Sequence, residues 1–183
     1  MIRYVTLGDA RLYLDRNRMY ARDYGLIDSA LHRPKAVVFG AESYPGFHEK
    51  AAALFDALLR SHPVIDGNKR LAWALTMLFY RLNGRRVVAE FEEALVFVRV
   101  AADRHVEMEI LTHWFATHAG ETPEVDEDFA ETLSWFQDDL HAMAKTIAEE
   151  DAERARHERE VEEYNRRLYE QMVAENDRHD RQD

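Results

Sequence analysis

The chain has 183 residues, 35 acidic against 24 basic, and 46% are apolar, enough for one globular domain with an appendage rather than two full domains. It contains no cysteine, which excludes disulfide frameworks, thiolate zinc sites and thiol nucleophiles. Residues 1–120 carry 16 Lys and Arg against 14 Asp and Glu, and residues 121–183 carry 8 against 21, a balance that excludes direct nucleic-acid binding through clustered cations.

The opening Met1-Ile2-Arg3-Tyr4-Val5 lacks a basic segment followed by an apolar run, and no stretch approaches the roughly 18 apolar residues of a membrane span. A soluble, cytoplasmic protein with no membrane partner is expected. Thr6 suits a helix N-cap and Gly25 a stop, so a first helix is predicted over Thr6–Asp23. A short helix around Ile27–Leu31 must end before Arg33-Pro34. Val37-Val38-Phe39, then Gly40, then Tyr44-Pro45-Gly46, read as a brief strand and turn in a hairpin or flap.

Helical spacing resumes at His48, with Ala51, Leu54, Phe55, Leu58 and Leu59 on one broad face. From Arg70 to Leu82 apolar residues occupy nearly every side of the helical wheel, the mark of a central buried helix, and Asn83-Gly84 supplies its left-handed cap. Two amphipathic helices follow, around Glu90–Ala102 and Glu107–His118. The body is therefore all-α with one small β element. Gly120-Glu121-Thr122-Pro123 is read as the break between a domain over residues 1–119 and an acidic helical extension over residues 120–183.

In that extension Phe129, Leu133, Phe136, Leu140, Met143 and Ile147 form a heptad-like stripe. A helix exposing so many large side chains needs cover from the body, from a second copy or from a separate partner. The charges of Glu149–Glu163 read as a solvated helix face with i,i+4 pairs.

Chemistry concentrates in Ser61-His62-Pro63-Val64-Ile65-Asp66-Gly67-Asn68-Lys69-Arg70, the loop ahead of the buried helix. Gly67 removes a side chain where backbone must come close, and the residues after it open a helix whose free N–H groups attract anions. Lys69 and Arg70 place two cations where the helix dipole disfavours them, which makes sense if a phosphate sits there. Asp66 is a hard oxygen ligand suited to Mg²⁺, and His62 can take a proton from a hydroxyl near neutral pH. Gly40–Gly46 lacks the Gly-Lys-[Ser/Thr] ending of a P-loop, and neither His48-Glu49 nor His157-Glu158 has the second His of a zinc-protease motif.

The loop resembles the signature of the Fic/Doc superfamily, H-x-F-x-[D/E]-G-N-x-R. Lys69 stands where AMP-transferring members have Gly, and Trp73 where they have a second Arg; both features resemble the death-on-curing (Doc) toxin branch. The resemblance runs through Gly25-Leu26-Ile27, Ser29-Ala30-Leu31, Arg33-Pro34, Tyr44-Pro45 and Asn83-Gly84, roughly residues 3–118. It implies a Fic fold, a helical core around one buried helix with a β-hairpin flap. It also implies the toxin of a type II toxin–antitoxin pair, a protein kinase moving the γ-phosphate of ATP or another nucleoside triphosphate onto a Thr or Ser of translation elongation factor Tu. By position, His62 would be the general base and Asp66 would hold Mg²⁺ in the catalytic group. Gly67, Asn68, Lys69 and Arg70 would bind the phosphates, Arg70 also serving catalysis, and Arg60 would join them. The Val37–Tyr44 region would dock the target by strand pairing.

Val64 departs from the pattern, occupying the place of a packing Phe; Phe55 or Trp73 is expected to fill the volume. Two rival functions stand beside the kinase: adenylyl transfer of the Fic type, which Lys69 disfavours, and a non-catalytic nucleotide-binding interaction module. The resemblance further implies an antitoxin acting in trans. Residues 126–150 are expected to act as such a cover in cis or, alternatively, to join a homodimer. The inhibitory signature [S/T]-x-x-x-E-[G/N] is absent from the extension, where Gln171 precedes Glu175-Asn176.

Overall fold

The computed structural model describes residues 1–121 and, beyond them, 145, 149, 152–157, 159–164 and 166–167. The chain divides into two compact units, Met1–Ala144 and Lys145–Asp183.

In the first unit, helix α1 (Leu7–Arg16) begins at a capping box in which Thr6 accepts from the Asp9 amide and Asp9 reaches back to the Thr6 amide. It ends well short of Asp23. Arg18 takes a left-handed φ of 52°, and Tyr20–Asp23 leave the helix to pair with a distant segment. Gly25 is not a stop. It lies in the first turn of α2 (Tyr24–His32), where its amide donates to the Asp23 side chain at 2.7 Å. Pro34 then starts a 3-10 turn (Arg33–Lys35), and β1 (Val37–Val38) pairs antiparallel with β2 (Ala41–Glu42). Phe39 (φ 50°) and Gly40 (φ 83°) form the two-residue turn between them, both left-handed as a type I′ connection requires.

Helix α3 (Phe47–Ser61) is the hub, touching the 3-10 turn, α2, α4, α5 and α6. Helix α4 (Asn68–Leu82) buries every residue from Leu71 to Tyr80, as its all-round apolar wheel predicts, and stops where Gly84 turns left-handed. Helices α5 (Phe91–Asp103) and α6 (Met108–Thr117) close the bundle. Phe97 stacks on both Phe55 and Trp114, at centroid distances of 5.4 and 3.8 Å.

A second strand pair was not legible in the pattern: β3 (Arg85–Val87) pairs antiparallel with β4 (Ala119–Glu121). The body therefore runs through Glu121, past the boundary expected at residue 119. In the second unit the described residues are helical, and all but the half-buried Ala155 are exposed. Lys145–Glu149 and Arg167–Glu163 are i,i+4 ion pairs, as a solvated helix face predicts. The stripe from Phe129 to Ile147 lies outside the described residues. No helix among the described residues is long and apolar enough to cross a membrane.

Candidate active site at the α3–α4 loop

His62 is the C-cap of α3 and sits at φ 45°, ψ 55°, in the left-handed region. For a side chain other than Gly this costs about 1–2 kcal/mol. The turn throws the imidazole outward, where it is exposed and makes no hydrogen bond or ion pair among the described residues. Pro63 and Val64 then dive into the body, Val64 fully buried.

Two devices hold this loop. Val64 forms an antiparallel bridge with Ala21, flanked by Arg22 N–H donating to Pro63 O at 2.8 Å and Ile65 N–H donating to Tyr20 O at 3.0 Å. From within α4, the Asn68 side chain accepts from Val64 N–H at 3.0 Å and donates to Val64 O at 3.1 Å. The Asn68 side chain thus staples the loop, and its main-chain N–H stands at the helix start. Phe55, one of the two expected fillers for the Val64 site, packs on Phe97 and Phe115, and Trp73, the other, packs against Trp114.

Gly67 opens α4 at φ 86°. A Cβ there would lie 2.8 Å from Met19 Cε and 2.9 Å from Arg70 Nη2, so backbone and guanidinium approach as only glycine permits. No side chain caps α4 and no acid lies in its first turn. The uncapped start of α4 with Lys69 and Arg70 in its first turn has the composition of an anion site. Arg70 donates to Asp66 at 2.9 Å across one turn, and Asp66 is 88% exposed, so most of its carboxylate lone pairs remain available. Buried Tyr13 lies close enough to feel the Arg70 charge. Burial pushes its phenol up to about 12 while that cation pulls the other way.

Lys69 points toward the end of α5, its ammonium 4.0 Å from the Asp103 carboxylate. Arg60 does so more completely. It bonds Asp56, and its remaining donors reach the carbonyls of Ala101, Ala102 and Arg104, the last turn of α5. The Arg60 guanidinium, expected among the phosphate binders, here caps the C-terminus of α5.

The structure thus brings His62, Asp66, Gly67, Lys69 and Arg70 onto one loop and helix start, and turns Arg60 away. Tyr20 and Ile65 oppose each other across the bridge and are 72% and 67% exposed. An apolar groove of about 470 Å³ between α5 and α6, lined by Val96, Phe97, Val100, Ile110 and Trp114 among others, contains none of the loop residues.

Among the described residues no group of three or more His, Asp or Glu side chains is placed to hold a metal. One exposed carboxylate beside an anion site is nevertheless how proteins commonly take up Mg²⁺ together with a phosphate ligand, and Asp66 fits that role.

Residues 6–80 match the model of the Fic/DOC family. A curated relative, Toxin Doc of Mycolicibacterium smegmatis, is 49% identical over 71 residues, covering 39% of this chain and 55% of that protein. The match thus spans about half the length of that relative. No solved structure matches the chain.

Proposed function

We propose, on the premise that residues 6–80 are a segment of the Fic/Doc family and resemble its Doc branch, that the chain is a Doc-type toxin acting as a protein kinase. It transfers the γ-phosphate of ATP or a related triphosphate to a Thr or Ser hydroxyl of translation elongation factor Tu. One observation carries the reading. An unpartnered His62, thrown outward by a left-handed turn, stands on a stapled loop that leads into the uncapped, cation-flanked start of α4.

Each group then has a task. His62 accepts the proton as the acceptor oxygen bonds to the γ-phosphorus and the bond to the β–γ bridging oxygen breaks, leaving phosphoester and nucleoside diphosphate. The α4 amides, Arg70 and Lys69 hold the phosphate oxygens. Asp66 would hold Mg²⁺, which neutralises phosphate charge when bound. The left-handed strain at His62 is the kind of local cost that persists where a side chain must be aimed.

Incubating the full chain with triphosphate labelled at the α or the γ position and a bacterial lysate tests the reading. Label entering protein from the γ position alone agrees with it. Label from the α position moves the activity to adenylyl transfer, and no incorporation leaves a nucleotide-binding module.

A further inference from the structure

Lys50 lies in the first turns of α3 and is only 2% exposed, although lysines ordinarily extend their ammonium into water. Its Nζ donates to the Glu42 carboxylate at 3.0 Å and to the Pro34 carbonyl at 3.3 Å. Glu42 belongs to β2, and Pro34 to the 3-10 turn that feeds β1. One inward-turned ammonium therefore grips the chain on both sides of the hairpin, from the helix whose far end carries His62.

The hairpin needs such a grip. It has two residue pairs, Val37 with Glu42 and Val38 with Ala41, too few to hold a fixed orientation alone. Its outer side chains find no cover: Val37 is 59%, Val38 55% and Phe39 fully exposed. At its base the Ser43 N–H to Ala36 O bond, the Arg33 to Tyr44 hydroxyl bond and the Lys35 ammonium over the Tyr4 ring add to the hold. A buried ion pair is also weak evidence of a role in stability as such, since replacing both partners by apolar groups of similar volume is often neutral or stabilising.

We propose that Lys50 is a positioning residue for acceptor selection, fixing the β1–β2 edge relative to α3, and hence to His62, so that a polypeptide paired on that edge presents its hydroxyl to the base. This rests on the kinase reading above, with the hairpin as the acceptor's docking edge. The grip acts on acceptor binding and not on the nucleotide.

Lys50→Met and Glu42→Gln, made in the full chain, are to be assayed with purified elongation factor Tu, with ATP affinity, Tm and hydrogen exchange measured alongside. Both variants should raise KM for the acceptor about tenfold while leaving kcat and ATP affinity within about twofold. The Ser43 amide should exchange faster in both, and Lys50→Arg should recover most of the acceptor affinity. An unchanged KM, or a Ser43 amide as protected as in the parent, overturns the proposal. A parent that transfers nothing to the factor refutes the kinase reading instead, and the exchange measurement still decides whether Lys50 holds the hairpin.

Discussion

The side-chain amide of Asn68 forms a two-bond ring with the main chain of Val64, four residues before it, at 3.0 and 3.1 Å. A side chain in the first turn of α4 thereby completes the hydrogen bonding of a buried loop residue that its own strand bridge leaves unsatisfied. Asn68→Ala should cost about 1–3 kcal/mol, because a buried N–H and C=O lose their partners together. Urea unfolding reads the loss. Asn68→Asp keeps the acceptor and removes the donor, and should fall between. A neutral Asn68→Ala would leave the side chain to ligand binding alone.

Gly67→Ala meets two obstacles, a left-handed φ and the crowding of its Cβ by Met19 and Arg70. The backbone cost is about 1–2 kcal/mol. Because the guanidinium head must also move, phosphate transfer should fall further than the drop in stability accounts for. Melting curves and activity on one preparation separate the two effects; loss of stability with full activity would remove Arg70 from the site.

His62 shows the opposite trade. Replacing it with Gly relieves the left-handed strain, so His62→Gly should raise stability by up to about 1 kcal/mol. The same change should slow transfer by about 10²–10⁴-fold through loss of the base. Denaturant midpoints and initial rates check both, and a variant that is less stable or fully active contradicts this assignment.

Arg60→Ala should uncap α5 and lower stability by about 1–2 kcal/mol while leaving Mg²⁺–ATP affinity unchanged, since its donors go to Asp56 and the α5 carbonyls. Calorimetric titration decides; a weakened nucleotide would return Arg60 to the phosphate binders.

His48 is held below the ordinary histidine value of 6.5, by burial first and then by the Arg85 guanidinium, while sharing a 2.8 Å hydrogen bond with Tyr80. A histidine whose pKa is lower folded than unfolded takes up its proton more readily on unfolding. Its contribution is complete above about pH 6.5 and shrinks as the pH falls below that toward the depressed folded value. Unfolding free energy should therefore decline from about pH 7.5 to about pH 5.5, and His48→Gln should flatten part of that slope. An identical slope in the variant would place the titration elsewhere.

Much of the body was legible because its signals are local. The apolar wheel of α4 and the Thr6 cap follow from adjacent residues, whereas Phe39, read as strand, turns out to lie with Gly40 in the hairpin turn. Three features depended on distant chain. α1 stops at Arg16 because Tyr20–Asp23 pair with Pro63–Ile65, and β3 finds β4 more than thirty residues away. Arg60 looks like a phosphate ligand from its neighbour His62, yet the carbonyls of α5 claim it. The same holds for Asn68: the residue type marks the loop correctly, but only folding reveals that its amide serves the backbone.

Intact-mass analysis of elongation factor Tu, after incubation with the full chain, Mg²⁺ and ATP, tests the central claim most directly, with His62→Ala in parallel. A gain of one phosphate with the parent, and almost none with His62→Ala in the same time, is the predicted result. A gain of AMP, no gain, or equal phosphorylation by the His62→Ala variant would contradict it.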